Sequence, residues 1–174
     1  MLKVQLFEAI DRNTKQLIDL VNTLSPAQLR LKPEGKWSVL EQLEHIVLTD
    51  KIVGLLLMRP HSSVAETDTV IGQERLEKII VTLRARKVAA PDLLQPTGSI
   101  QTAEQFTIQF TEQRNAFKEA VNNDTIVLDS RTFKHPYLGE MTVIDWYHFI
   151  PLHAHRHLEQ IKEILANQNA NEGH

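Results

Sequence analysis

The sequence predicts an all-α protein built on four long amphipathic helices, with long loops and additional short helices between them. Two observations carry that expectation. Apolar residues recur at intervals of three and four over four separate stretches, the period of a helix buried on one face. The last three stretches each open on Ser or Thr, followed three residues later by Glu, Gln or Asp, a pairing that satisfies the orphan amides of a first helical turn.

The first helix is expected over Lys3 to Leu24, with Leu6, Phe7, Ile10, Leu17, Ile18, Val21 and Leu24 inward. Ser25 as N-cap and Pro26 at the first helical position then predict one short turn to Leu29. Ser38 and Glu41 open the second long helix, Val39 to about Met58. Its inward stripe is Val39, Leu43, Ile46, Val47, Val53 and Leu57, and a flanking line holds Glu41, His45, Leu48, Ile52 and Leu56. Glu41 reads as a helix cap, and Asp50, on the apolar stripe, as a hydrogen-bonding residue between helices or a support for a nearby ligand. Pro60 to Ile71 is polar and irregular. Gly72 to Lys87 reads as helix with Leu76, Ile79, Ile80 and Leu83 on one side, before Pro91, Pro96 and Gly98 break the chain.

Thr102 and Gln105 open the third long helix, Ala103 to Asn122, with Phe106, Phe110, Phe117 and Val121 inward. Arg114 lies among these and has two readings, one reaching toward the core interior and the favoured one a solvated arginine whose stem covers apolar surface. Asp124 to Gly139 is expected to be extended loop with a short hairpin. Thr142 and Asp145 open the fourth long helix, to about Asn167, and Pro151 in its interior predicts a kink just before His153.

His153 and His157 stand four apart inside the apolar stripe of that helix, so both project from one face and can approach one metal ion or one substrate. Two adjacent core imidazoles are costly unless each finds a hydrogen-bond partner, and a shared metal satisfies both. His148 and His155 point from other faces. His61, His135 and His174 fall in loops or at the terminus and are expected to be solvent-exposed.

At 174 residues the chain fits a single domain, 1–174, large enough to bury a core. A net charge of -3, with Lys and Arg scattered, argues against nucleic acid as a partner. Cysteine is absent, which removes disulfides, thiolate ligands and a cysteine nucleophile, so any thiol chemistry must draw on a thiol from outside. The opening residues carry acidic groups where a signal peptide would be apolar, and Ile52 to Met58 is far too short to span a bilayer. A cytoplasmic protein with no membrane partner is the expectation.

Missing residue types narrow the chemistry. His153 is followed by alanine, so the H-E-x-x-H of a zincin is absent, as are the E-x-x-H pairs of a di-iron bundle, a P-loop, G-x-S-x-G and G-x-G-x-x-G. One histidine on the second long helix and two on the fourth remain. Three neutral imidazoles with open positions suit Zn²⁺, and also Ni²⁺ or Fe²⁺, as a Lewis acid or as a means of activating water or a thiol.

Trp37, Ser38, Glu41 and His45, read as W-S-x-x-E-x-x-x-H, are followed by Gly139, Thr142, His153, His157, Gln160 and Ile161. In that order and helical context the chain resembles the DinB-like superfamily. RARKVAAPDLLQP and Arg114 resemble its bacillithiol transferase-like branch in particular. The resemblance implies a four-helix bundle in which His45, His153 and His157 bind one divalent metal ion per chain. It also implies dimers in many cases, and relatives that include thiol-dependent S-transferases and an isomerase. The expected function is accordingly a metal-dependent S-transferase using a low-molecular-weight thiol and a small-molecule substrate. A metal-dependent hydrolase and a non-catalytic, metal-stabilised binding protein are the alternatives. Only three ligands can be found, where a structural zinc fills four positions with protein groups, and that favours the enzyme. The substrate walls are expected from His61 to Ile71 and Asp124 to Tyr137.

Overall fold

The computed structural model describes residues 1–173, so the expectation for His174 lies outside the described residues. The chain is mostly helical. Four long helices form its frame, α1 (Leu2–Asn22), α3 (Val39–Leu57), α5 (Ala103–Asn122) and α6 (Val143–Glu172), with α1 and α3 each packed on both α5 and α6. Between them lie the short α2 (Pro26–Leu29), α4 (Gln73–Glu77), a π-helical turn at Lys78–Thr82 and a 3₁₀ turn at Asp92–Leu94.

The caps form as their chemistry requires. Ser38 Oγ accepts the Glu41 N–H at 3.1 Å while the Glu41 carboxylate accepts the Ser38 N–H at 2.6 Å. Asp145 does more than cap α6. Its carboxylate accepts the amides of Val70, Ile71 and Gly72 besides that of Thr142, which pins the chain before α4 onto the start of α6. Helix α6 runs five residues past the expected end at Asn167 and continues through Pro151.

Three expectations need correction. The all-α class gives way to a mostly helical fold with one small sheet, antiparallel and ordered β1 (Ser63–Val64), β2 (Arg131–His135), β3 (Gly139–Thr142). The β2–β3 hairpin was foreseeable from the β-branched residues, whereas a two-residue β1 leaves no period to read. The helix expected to Lys87 ends at Thr82, and Leu83 is 45% exposed rather than inward. A π turn carries an extra residue per turn and advances the phase, so Val81 is buried together with Leu76 and Ile80.

The third correction is Arg114, which is 1% exposed. Its Nε donates to Asp50 of α3 at 2.6 Å and its Nη1 to Asn13 of α1 at 3.1 Å, and the guanidinium lies 4.4 Å from the Phe110 ring centre. Asp50 thus bridges helices, as its place on the apolar stripe suggested. Asn13, Asp50 and Arg114 form a buried polar layer. On one side lies a cluster containing Ile10, Val53, Phe117 and Ile150, and on the other a cluster containing Leu17, Ile46, Phe110 and Ala154. No helix among the described residues is long and apolar enough to cross a membrane.

Candidate metal centre

Helices α3 and α6 bring together the three histidines singled out in the sequence. The ring centres lie 5.0 Å apart for His45 and His153, 4.9 Å for His45 and His157, and 4.8 Å for His153 and His157. All three are secluded, at 5%, 9% and 6% exposure, and their nearest nitrogens lie within 4.8 Å of one another. Among the described residues no carboxylate joins them.

Hydrogen bonds from behind the rings orient two of them. His45 Nδ1 lies 2.8 Å from the Leu94 carbonyl and His157 Nδ1 lies 3.2 Å from Gln42 Oε1. Carbonyl oxygens only accept, so both rings carry their proton on Nδ1, and the free Nε2 of His45 faces His153. His153 stacks on Phe149 with ring centres 5.2 Å apart, and Trp37 lies 4.8 Å from His45. The His153 Nδ1 is buried without a partner, and its Nε2 lies 3.2 Å from that of His45. Two nitrogens bound tetrahedrally to one zinc would lie about 3.3 Å apart. The donor set therefore fits a divalent ion, bound through the nitrogens that face one another.

Electrostatics favour the neutral form of the rings. Burial is the largest cause depressing the basicity of all three. The hydrogen bond to Leu94 works against it at His45, while the neighbouring imidazoles add to it at His153 and His157, and Arg156 adds to it at each ring. With folded pKa values below the unfolded value of about 6.5, the unfolded chain takes up protons first as pH falls. The metal-free protein should therefore hold its full stability above about pH 7 and lose it as pH drops through 6.5, by about 1.4 kcal/mol per pH unit for each neutral ring. Urea titrations in chelator at pH 7.5, 6.5 and 5.5 measure this, and His157→Gln should flatten the slope by about one proton.

The segment over the site is the connection 83–98. Arg156 of α6 donates to the carbonyls of Ile80 and Arg86 at 3.0 and 2.9 Å, and the Tyr137 hydroxyl donates to Ala89 at 2.5 Å. Glu44 accepts from Thr97 N–H and Oγ1, Gly98 N–H and Ser99 Oγ. Burial alone would raise the Glu44 pKa, but the donors at Thr97 and Ser99 outweigh it and hold it low, so the anchor is a carboxylate at neutral pH. This connection, read in the sequence as a break that also carries part of the family resemblance, supplies Leu94 to the centre.

The remaining histidines divide as follows. His61 is exposed, and His148 and His155 are half-buried on other faces of α6, as expected. His135 corrects its expectation, being half-buried with its ring 5.3 Å from Trp146 and 5.2 Å from Phe149. Burial lowers its pKa to about 4, and its Nδ1 accepts the amides of Tyr137 and Leu138 across the hairpin turn. Gln42, Phe149 and Leu94 escaped the sequence reading. The first two carried a signal, since Gln42 precedes His45 by three and Phe149 precedes His153 by four, one helical turn on the same face.

The profile of the DinB superfamily matches residues 9–161. The uncharacterized protein YuaE of Bacillus subtilis (strain 168) is 29% identical over 147 residues, which cover 81% of this chain and 85% of that protein. With the match spanning the helices that carry all three histidines, the chain belongs to the DinB superfamily.

Proposed function

We propose that the protein is a metal-dependent transferase in which His45, His153 and His157 hold one divalent ion beside a low-molecular-weight thiol. The observation that supports it is a centre of three neutral imidazoles with no fourth protein ligand among the described residues. Zn²⁺ or Ni²⁺, with Fe²⁺ as a third candidate, would supply Lewis acidity that lowers the pKa of a thiol. The chain's own groups do the rest. Leu94 and Gln42 hold the tautomers of His45 and His157, burial keeps the rings unprotonated, and Phe149 and Trp37 pack beside the rings. In this reading the four long helices act as the bundle typical of the family, and two copies associate as a homodimer, which light scattering on the purified protein would measure.

The test uses Co²⁺-substituted protein. Adding 2-mercaptoethanol should produce a thiolate-to-metal charge-transfer band that persists well below pH 8.5, the approximate pKa of a free thiol. The same band should be missing from His45→Ala. If neither thiol nor small anion perturbs the cobalt spectrum, the site is closed and the enzyme reading falls.

A further inference from the structure

The three histidines are secluded from water, yet the chain that runs against them has no core of its own. From Thr82 to Ser99 no residue is buried, and the apolar Leu83, Val88 and Leu93 are exposed. Between Leu83 and Pro96 the amides that bond to backbone carbonyls make only local turns: Arg84 to Val81, Arg86 to Leu83, Leu94 to Pro91 and Gln95 to Asp92. A segment with few buried apolar contacts and no backbone pairing to its neighbours opens locally at a small fraction of the cost of unfolding.

Single side chains hold this segment down. Tyr137 of the hairpin donates its hydroxyl to the Ala89 carbonyl at 2.5 Å, Arg156 of α6 donates to Arg86 at 2.9 Å, and His45 Nδ1 bonds Leu94 at 2.8 Å. The ends are firmer. Val81 and Ile100 are buried, and Glu44 grips Thr97, Gly98 and Ser99. The Leu94 bond ties the segment to the site, because its carbonyl fixes the tautomer of a ring in the triad. Lifting Leu94 away frees that ring to rotate.

We infer that residues 83–96 form a lid over the metal centre, latched by Tyr137, whose closure is coupled to metal binding through the Leu94–His45 hydrogen bond. This rests on the metal site proposed above and not on the thiol or the transfer. Losing the partner that orients a ligand lowers metal affinity about 10–100-fold, and linkage is reciprocal. A bound ion should therefore make opening rarer by about the same factor.

Arg86 and Lys87, both exposed within the lid, let trypsin read the open population, since cleavage follows that population when opening and closing are fast. Zn²⁺-loaded protein should be nicked there at least about tenfold more slowly than chelated protein. His157→Ala should lose this protection. Tyr137→Phe keeps the ring and removes one hydrogen bond, so nicking should rise about fivefold with and without zinc. The same variant should yield zinc to a competing chelator about fivefold faster while its equilibrium affinity stays within about twofold, since a latch sets how often the site opens. Cleavage after Lys118 in α5 reports global unfolding and should stay slow throughout.

Equal nicking with and without zinc, in protein that holds the ion, would overturn the coupling. Wild-type rates of nicking and zinc release in Tyr137→Phe would overturn the latch, and lid cleavage no faster than cleavage after Lys118 would overturn the lid. Wild-type protein that takes up no zinc would overturn the metal site itself, and the coupling with it.

Discussion

His153→Ala and His157→Ala should each lower metal affinity by more than a hundredfold. Supporting residues around a metal typically cost 10–100-fold, and a ligand from a set of three costs more because no neighbouring carboxylate or thiolate stands ready to replace it. Protein purified without chelator should hold about one divalent ion per chain, counted by elemental analysis, and both variants should be nearly empty. Gln42→Ala should fall between, since it frees His157 to rotate and change tautomer without removing a donor. His148→Ala and His155→Ala, on other faces of α6, should retain the ion. Full occupancy in both His153→Ala and His157→Ala would eliminate the triad as the metal site.

The second large effect concerns the buried pair. Asp50→Leu should destabilise the protein by about 3–5 kcal/mol, because it leaves the Arg114 guanidinium in an interior where only Asn13 and the Phe110 ring face it. Arg114→Met should cost a similar amount by stranding the carboxylate. The double variant Asp50→Leu, Arg114→Met should recover most of the loss, since removing both charges also removes both desolvation penalties. Urea denaturation of the four proteins measures the cycle. Single-variant losses below about 1 kcal/mol would mean that the pair is solvated.

What the sequence made legible follows from how local each signal is. Helix starts were readable at Ser38, Thr102 and Thr142 because a cap is satisfied within four residues. The His153–His157 pair was readable because one helix supplies both. His45 required the family resemblance, since a lone histidine on a half-apolar flank names no partner and its neighbour lies 108 residues away. Arg114 was misjudged for a related reason: its burial depends on Asp50 and Asn13 from two other helices, 64 and 101 residues distant. The coverage of the site by 83–98 was illegible because it rests on backbone carbonyls at Ile80, Arg86, Ala89 and Leu94, and every residue type carries one.

The polar layer of Asn13, Asp50 and Arg114 has a bearing on which length changes the chain can absorb. An α-helix rises about 1.5 Å per residue, so sliding α3 by one turn would carry Asp50 about 5.4 Å from its guanidinium and His45 as far from the α6 pair. The layer penalises such a slide with an unpaired buried charge, and it lies inside the helices rather than in their connections. Vertical alignment of the two helices that carry the triad is therefore independent of how long the intervening surface turns are. A glycine–serine insertion at the exposed turn around Gly35, where φ is +67°, should leave metal stoichiometry intact. A single alanine inserted between Phe110 and Arg114 should cost both folding stability and the ion, despite touching no ligand.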